Sequence, residues 1–549
     1  MAPQPGESLT SWLCAYAQRN DVTWRQMLTA TGLHRRAGDM EYIGWACRLH
    51  AHEIDTLSEA TGIEPDVPQA MTLNHYATLG VQVVRRPTRV RRGALNRITC
   101  LKHFCPQCLH ETQGRWQLAW SLDWTFACTH HGRLLADTCP RCLRPPMRPA
   151  PLTDTVPNLS RCSQSGDRHG QTVCGADLCT DTPSPAPPEV IAAQEAINDV
   201  LDGDITGFTM YVPAKATPAH ILADLRALAG DIASTQTHGP DRTDRVADRY
   251  ATAVNVLRAP DIPTAAEILR DRIASPAIGM SRRTELALRT GSRHALAGAI
   301  ELAALDPDLP IGDTLRYRTC TPMPHVSRRP AATLAILTRA LPTVLWPAWT
   351  NYILGADDDD RVARAALACL VAHVGTDAPT STIATMLGST AADISPLLPA
   401  MRALRARPDR AEVLTRVITL ADHLSATTTA VDYHRRRRLD YTDLLSDSGN
   451  NNQDPLRCMA FELLSGLPRT RAPWYRDTAS FARRCHTITR TQALSETAVN
   501  DSMEAFLRAQ GIDEPIIAMP TLPKSRCTNQ CGYPDGDPGS AVMETIVED

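Results

Sequence analysis

Apolar residues recur at helical rather than alternating spacing along most of this chain, so the expected fold is mainly α. Near the start, Leu9, Trp12, Leu13, Tyr16 and Ala17 share one face of a helix that Ser8 or Thr10 would cap. A second helix, opened by Asp21 or Thr23, carries Val22, Met27 and Leu28 and stops at Gly32. A third runs from about 52 to 61 and stops at Gly62. The stretches Ala30-Thr31-Gly32-Leu33 and Ala60-Thr61-Gly62-Ile63 repeat thirty residues apart, each with glycine where a helix end takes a left-handed residue. Residues 1–66 therefore read as a small helical unit, either helix-turn-helix-like or simply packed.

From 189 to 445 the chain is rich in Ala, Leu and Arg with the same periodicity, as at Ile221, Leu222, Leu225 and Leu228, which predicts one or two helical domains. A polar linker at 446–454 precedes a further helical segment, and the Pro/Gly-rich, acidic stretch 520–549 is expected to be disordered. Within the central region, Ala384, Gly388 and Ile394 fall where a helix-turn-helix at 378–405 wants a small residue, a turn and a buried apolar residue. Pro396 and Pro399 conflict with it unless the second helix starts later, near Ser395. The aspartates at 357–360 read as acids favoured at a helix N-terminus rather than as ion ligands.

Charge changes this picture in two places. Overall the chain is balanced, with 57 basic and 60 acidic residues among 549, so no global field marks a nucleic-acid binder. Residues 67–110, however, contain no acid and seven bases: Arg85, Arg86, Arg89, Arg91, Arg92, Arg97 and Lys102. Val81, Val83 and Val84 suggest a short strand leading into this basic loop, which suits phosphate contacts or equally a solvated surface. The second place is His434 followed by Arg435, Arg436, Arg437 and Arg438, a run that either tracks phosphates or forms a solvated face.

Cysteine usage is the most informative feature. Nine of the seventeen cysteines lie between 100 and 179. Cys105 and Cys108 are two residues apart; nineteen residues on come Cys128 and His131, again two apart. The same start recurs as Cys139 and Cys142, followed after nineteen residues by Cys162, with Cys174 as fourth ligand and His169 or Cys179 as alternatives. Paired thiolates of this spacing hold one edge of a tetrahedral ion, so two structural Zn2+ ions in tandem zinc-ribbon-like modules are expected over 67–179. Cys100 and His103 offer a competing pair for the first site, and His131 is preferred over His130 because it keeps the knuckle spacing ahead of Gly132. Clustered cysteines with no signal peptide and no long apolar run fit a soluble, cytoplasmic protein with no membrane association.

Trp116, Trp120 and Trp124 recur every fourth residue inside the first loop, as on one helical face, and suit a small core better than base stacking. The proline-rich stretch 180–188 is expected to be a stiff linker and domain boundary. No phosphate-binding loop, His-Glu-x-x-His helix or Gly-x-Ser-x-Gly elbow is present, and two ligand-saturated sites argue against an enzyme.

The residues Glu7-Ser8-Leu9-Thr10-Ser11-Trp12-Leu13, Phe104-Cys105-Pro106-Gln107-Cys108-Leu109, Cys128 to Leu135 through His131-Gly132, and Cys139-Pro140-Arg141-Cys142 resemble the TniQ family, which includes TnsD. Cys174-Gly175-Ala176-Asp177-Leu178 resembles the closing segment of that pattern, which favours Cys174 as the fourth ligand. Eleven residues separate Cys162 from Cys174 where the family pattern has two. The resemblance covers about the first 180 residues. It implies a target-selection protein for transposition that binds DNA or docks on another targeting complex, such as a CRISPR effector. It further implies recruitment of an AAA+ ATPase regulator and, through it, an integrase-type transposase; a homodimer is compatible. A stand-alone zinc-containing transcriptional regulator using 378–405 is the competing expectation.

Overall fold

A computed structural model describes residues 1–33, 47–79, 103–146, 154–165, 172–180, 183–233, 243–273, 295–306, 309–325, 330–355, 360–427, 430–445, 454–490 and 497–516. The basic loop with Arg85, Arg86, Arg89, Arg91 and Arg92, the valines ahead of it, Cys100, His169 and the acidic tail lie outside them. The protein is mainly helical and divides into two units, residues 1–297 and 298–549. Among the described residues, no helix is long and apolar enough to cross a membrane.

In the first unit the helix Leu9–Arg19 is capped by Ser8, whose Oγ accepts from the Ser11 amide, and Thr23 with Gln26 forms a capping box for Trp24–Ala30. The helix Ala51–Thr61 ends at Gly62 with φ 72°, and Gly32 has φ 70°, so both glycines of the sequence repeat take the left-handed conformation. Leu9, Trp12, Leu13 and Ala17 do not close a core of their own. They share one with Phe104, Leu109, Trp116, Leu159 and Leu178, so the N-terminal helices and the cysteine-rich segment fold as one body.

Glu7 explains why the opening motif takes this position. Its buried carboxylate accepts from the Ser11 hydroxyl (2.8 Å), from the Gln4 amide (3.0 Å) and from the Arg115 guanidinium. Ser11 Oγ in turn accepts from the Trp116 amide at 2.8 Å. The Glu-Ser-x-x-Ser-Trp-Leu stretch is thus a plug whose polar residues satisfy the loop after the first cysteine pair, while its tryptophan and leucines fill the core.

The tryptophans depart from expectation in conformation only. Trp116, Trp120 and Trp124 are all buried, yet they do not lie on one helix; the regular piece there is a single 3-10 turn, Leu118–Ser121. The chain instead folds back so that Trp116 meets Trp120 edge-on with ring centroids 5.9 Å apart.

The proline-rich stretch is not a free linker. Arg133 Nη1 donates to the Pro183 carbonyl (2.7 Å), Leu134 N to Ser184 O (3.3 Å), and Ala186 N to Gly132 O (3.0 Å). These bonds lay residues 183–186 along a short hairpin, β1 (Ala127–Cys128) and β2 (Arg133–Leu134). The helix that follows, Pro188–Leu201, is fastened by Gln194, whose Oε1 accepts from the Phe126 and Ala127 amides. Proline suits this place because its stiffness limits what is lost when the strap docks. The boundary between compact units falls well downstream of it.

The second unit is built around Arg361–His373, in which every residue from Ala366 to His373 is buried. It packs against Thr380–Met386 and Leu397–Arg405, between which lie a turn at Gly388 (φ 92°) and Ala391–Ile394. The second helical run of this stretch is split at Pro396, and its longer part begins at Leu397. The φ of Gly388 favours glycine, and a Cβ there would also press on the Leu467 side chain, 2.7 Å from its Cδ2.

His373 closes the central helix against Thr380, Nε2 to Oγ1 at 2.9 Å. Burial lowers its pKa from 6.5 to about 4, so it stays neutral in the fold where a free imidazole would charge. Its stabilising contribution is therefore complete above about pH 6.5 and is lost as pH falls towards 4, by up to about 3 kcal/mol. Urea melts of the full chain should show this loss, and His373→Gln, which keeps a polar partner for Thr380, should flatten that part of the profile.

Two of the four arginines at 435–438 are turned inward, which corrects the reading of the whole run as phosphate contacts or as a solvated face. Arg436 is fully buried and binds Glu514 (3.0 Å) and the carbonyls of Pro515 and Ile516. Arg437 donates to the carbonyls of Thr338, Leu341 and Met386, capping the ends of two helices, and desolvation lowers its pKa to about 10. Arg435 is exposed but bonds Gly511 O at 2.8 Å, and Arg438 is exposed. Two adjacent inward positions flanked by outward ones are what a helical turn imposes on a continuous charge run.

Candidate metal centre

Two cysteine-rich clusters emerge from this framework. In the first, Cys105 and Cys108 flank the start of the helix Pro106–Glu111, with Pro106 at its first position. Cys128 ends β1 and His131 lies in the turn before Gly132, whose φ of 60° allows the reversal. The donor atoms of all four residues lie within 4.8 Å of one another. His131 Nδ1 is 3.5 Å from Cys105 Sγ, 3.3 Å from Cys108 Sγ and 3.5 Å from Cys128 Sγ; Cys108 and Cys128 are 3.6 Å apart. A tetrahedral ion with metal–sulfur bonds of about 2.3 Å needs donor edges of about 3.4–3.8 Å, so the four atoms fit one ion with no open position.

The free ring nitrogen of His131 adds a feature that spacing did not reveal. Nε2 sits 3.0 Å from Glu111 Oε1, so the carboxylate can fix the ring and leave Nδ1 for the ion. Glu111 lies three residues after Cys108, on the same short helix, and that helical offset was the available signal. His130 is exposed and stays outside the tetrahedron, with Nε2 3.7 Å from Glu111. His103 is also absent from the cluster.

Three sulfurs packed together suit a cation. Hydrogen bonds from Cys108 and Cys128 push Cys105 down to about 2, and bonding to Cys105 raises Cys108 and Cys128 above the usual thiol range. One negative charge is easily held there and three are not, unless a divalent ion compensates them.

The second cluster unites Cys139, Cys142, Cys162 and Cys174, again within 4.8 Å. Cys142 and Cys162 sulfurs are 3.7 Å apart and Cys139 and Cys174 3.8 Å. The long gap between the last two ligands is absorbed by a hairpin. Arg161 bridges Asp177 and Ser165 bridges Val173, while Cys162 N donates to Ala176 O and Cys174 N to Gln164 O. In that register Cys162 and Cys174 are diagonal neighbours on one face, so the extra residues extend the loop without separating the thiols. Cys179 lies outside the cluster, its amide donating to Asp177 Oδ1. The Arg141 amide points at Cys139 Sγ (3.4 Å), a donor that stabilises thiolate.

Residues 1–135 match the TniQ family model, so the N-terminal part of the chain is similar to that family. The matched stretch contains the whole first cluster and stops before the second. No curated protein and no solved structure matches the chain.

Proposed function

We propose that this chain is a non-enzymatic transposition protein that binds or marks target DNA and recruits an AAA+ regulator. The observation that carries the reading is the TniQ match over residues 1–135, in which the family's opening motif and the first Cys/His cluster share a core. We take the ion in both clusters to be Zn2+, because three thiolates with one imidazole and four thiolates are its usual closed structural sets. The modules are then zinc-ribbon-like scaffolds with no site left for a substrate, which supports a binding role over catalysis.

DNA contact is assigned to the acid-free basic loop with Arg85, Arg86, Arg89, Arg91 and Arg92, and to the helical pair around Gly388 as a helix-turn-helix. Of the later arginine run only Arg435 and Arg438 face outward, so they alone are kept as phosphate contacts. Gel-shift and footprinting assays on attachment-site duplexes, titrated with salt, test this. Replacing the five loop arginines by glutamine should weaken binding and lower the salt slope by about four to five. A chain that neither binds duplex DNA nor captures an AAA+ transposition ATPase would contradict the proposal.

A further inference from the structure

Cys128 and His131, the second ligand pair of the first centre, stand on a hairpin whose two strands are only two residues each. A hairpin that short does not hold its own shape in water, so something outside it must fix where the Cys128 sulfur points. The demand is strict, because a closed tetrahedral site keeps its metal–ligand distances to about 0.2 Å. The strap at 183–186 holds β2 and the turn beside His131, with Ala186 N donating to Gly132 O.

β1 is held by Gln194, on the helix Pro188–Leu201, beyond the residues 1–135 that match the family model. The Gln194 side chain is fully buried and makes four hydrogen bonds. Its Oε1 accepts from the amides of Phe126 (2.8 Å) and Ala127 (3.2 Å), and its Nε2 donates to the Trp124 carbonyl (3.3 Å) and to Asn198 Oδ1 (3.1 Å). Two acceptor and two donor positions are the whole capacity of a carboxamide. Turned over, the group would set its N–H bonds against two backbone N–H groups, so one orientation is selected. The three backbone partners belong to Trp124, Phe126 and Ala127, the stretch that leads directly into Cys128. A leucine of similar size would leave two buried amides unpaired and the stretch free to shift.

We infer that Gln194 is a positioning residue for the first metal centre: it sets the backbone that aims Cys128, so a helix outside the matched residues completes this centre. The inference rests on the reading of both clusters as closed zinc sites. Groups that orient a metal ligand from behind cost roughly 10–100-fold in metal affinity when removed. The second centre stands on its own hairpin between Arg161 and Asp177 and supplies an internal control.

The test uses the full-length chain produced with Co2+ in both centres and titrated with EDTA. Three thiolates with one imidazole and four thiolates give Co2+ different visible spectra, so loss from each centre is followed separately. Gln194→Leu should release Co2+ from the first centre at no more than one tenth of the wild-type chelator concentration, with the second centre unchanged. Asn198→Ala, which only frees the carboxamide to turn, should shift the first centre in the same direction by less, and it decides alone if Gln194→Leu does not fold. Val200→Ala, a buried change six residues on in the same helix, should lower the melting temperature and leave the first centre at its wild-type affinity. The inference is overturned if the first centre of a folded Gln194→Leu chain, or failing that of Asn198→Ala, keeps wild-type affinity. It is equally overturned if both centres weaken together, or if Val200→Ala weakens the first centre as much as Gln194→Leu. A wild-type chain that shows only one of the two spectra would instead overturn the two-centre reading, and this inference with it.

Discussion

Cys105→Ser is expected to strip the ion from the first centre and to unfold much of the segment from the N-terminus to about residue 180. Cys105 is fully buried, and the same core contains Trp12, Phe104, Leu109 and Trp116, so the centre and the apolar packing are one structure. A structural zinc site contributes about 10–16 kcal/mol in small modules, comparable with the whole stability of a domain at about 5–15 kcal/mol. Loss of one thiolate leaves an open, weakly bound position that this packing cannot offset. Metal analysis should fall by one equivalent per chain, and limited proteolysis should cut within residues 1–180 while sparing the second unit. Cys179→Ser, a neighbouring cysteine outside both clusters, should change neither readout. A Cys105→Ser chain that keeps its full metal content and its protease resistance would show that the four residues do not share an ion.

Arg115→Ala should destabilise the first unit by about 3–5 kcal/mol, because it leaves the Glu7 carboxylate buried without its counter-charge. Ser11 and Gln4 would still donate to that carboxylate, so the loss is of compensation for charge rather than of every hydrogen bond. Removing both charges together, as Glu7→Gln with Arg115→Met, should recover most of the loss, since an apolar or neutral pair of similar size carries no desolvation penalty. Chemical denaturation followed by tryptophan fluorescence would report on this region, where Trp12 and Trp116 are buried. A cost for Arg115→Ala of under about 1 kcal/mol, as for an exposed ion pair, would mean that Glu7 is reached by solvent.

Much of this molecule was legible before any coordinates. Capping residues and terminal glycines are local: Ser8, Thr23, Gly32 and Gly62 act on amides and carbonyls within a few positions, so their roles are written in the nearest neighbours. Ligand spacing is nearly as local, because a two-residue knuckle determines where a pair of thiols can point; Cys105, Cys108, Cys128, His131, Cys139, Cys142 and Cys162 were identifiable from spacing, whereas Cys174 was favoured over His169 and Cys179 by the family resemblance. The same spacing could not say how eleven residues between the last two ligands are accommodated; a hairpin register did that, through hydrogen bonds between Cys162, Gln164, Cys174 and Ala176.

What tertiary structure alone decided concerns residues whose partners are far away in sequence. Glu7 meets Arg115, Gln194 holds the backbone of Phe126, Arg133 binds a proline-rich strap that composition presents as a linker, and Arg436 is buried against Glu514. A run of arginines or prolines has the same local propensities in solvent as in a core. Whether it is exposed depends on which distant carbonyls and carboxylates the fold brings within about 3 Å, and no local pattern encodes that distance.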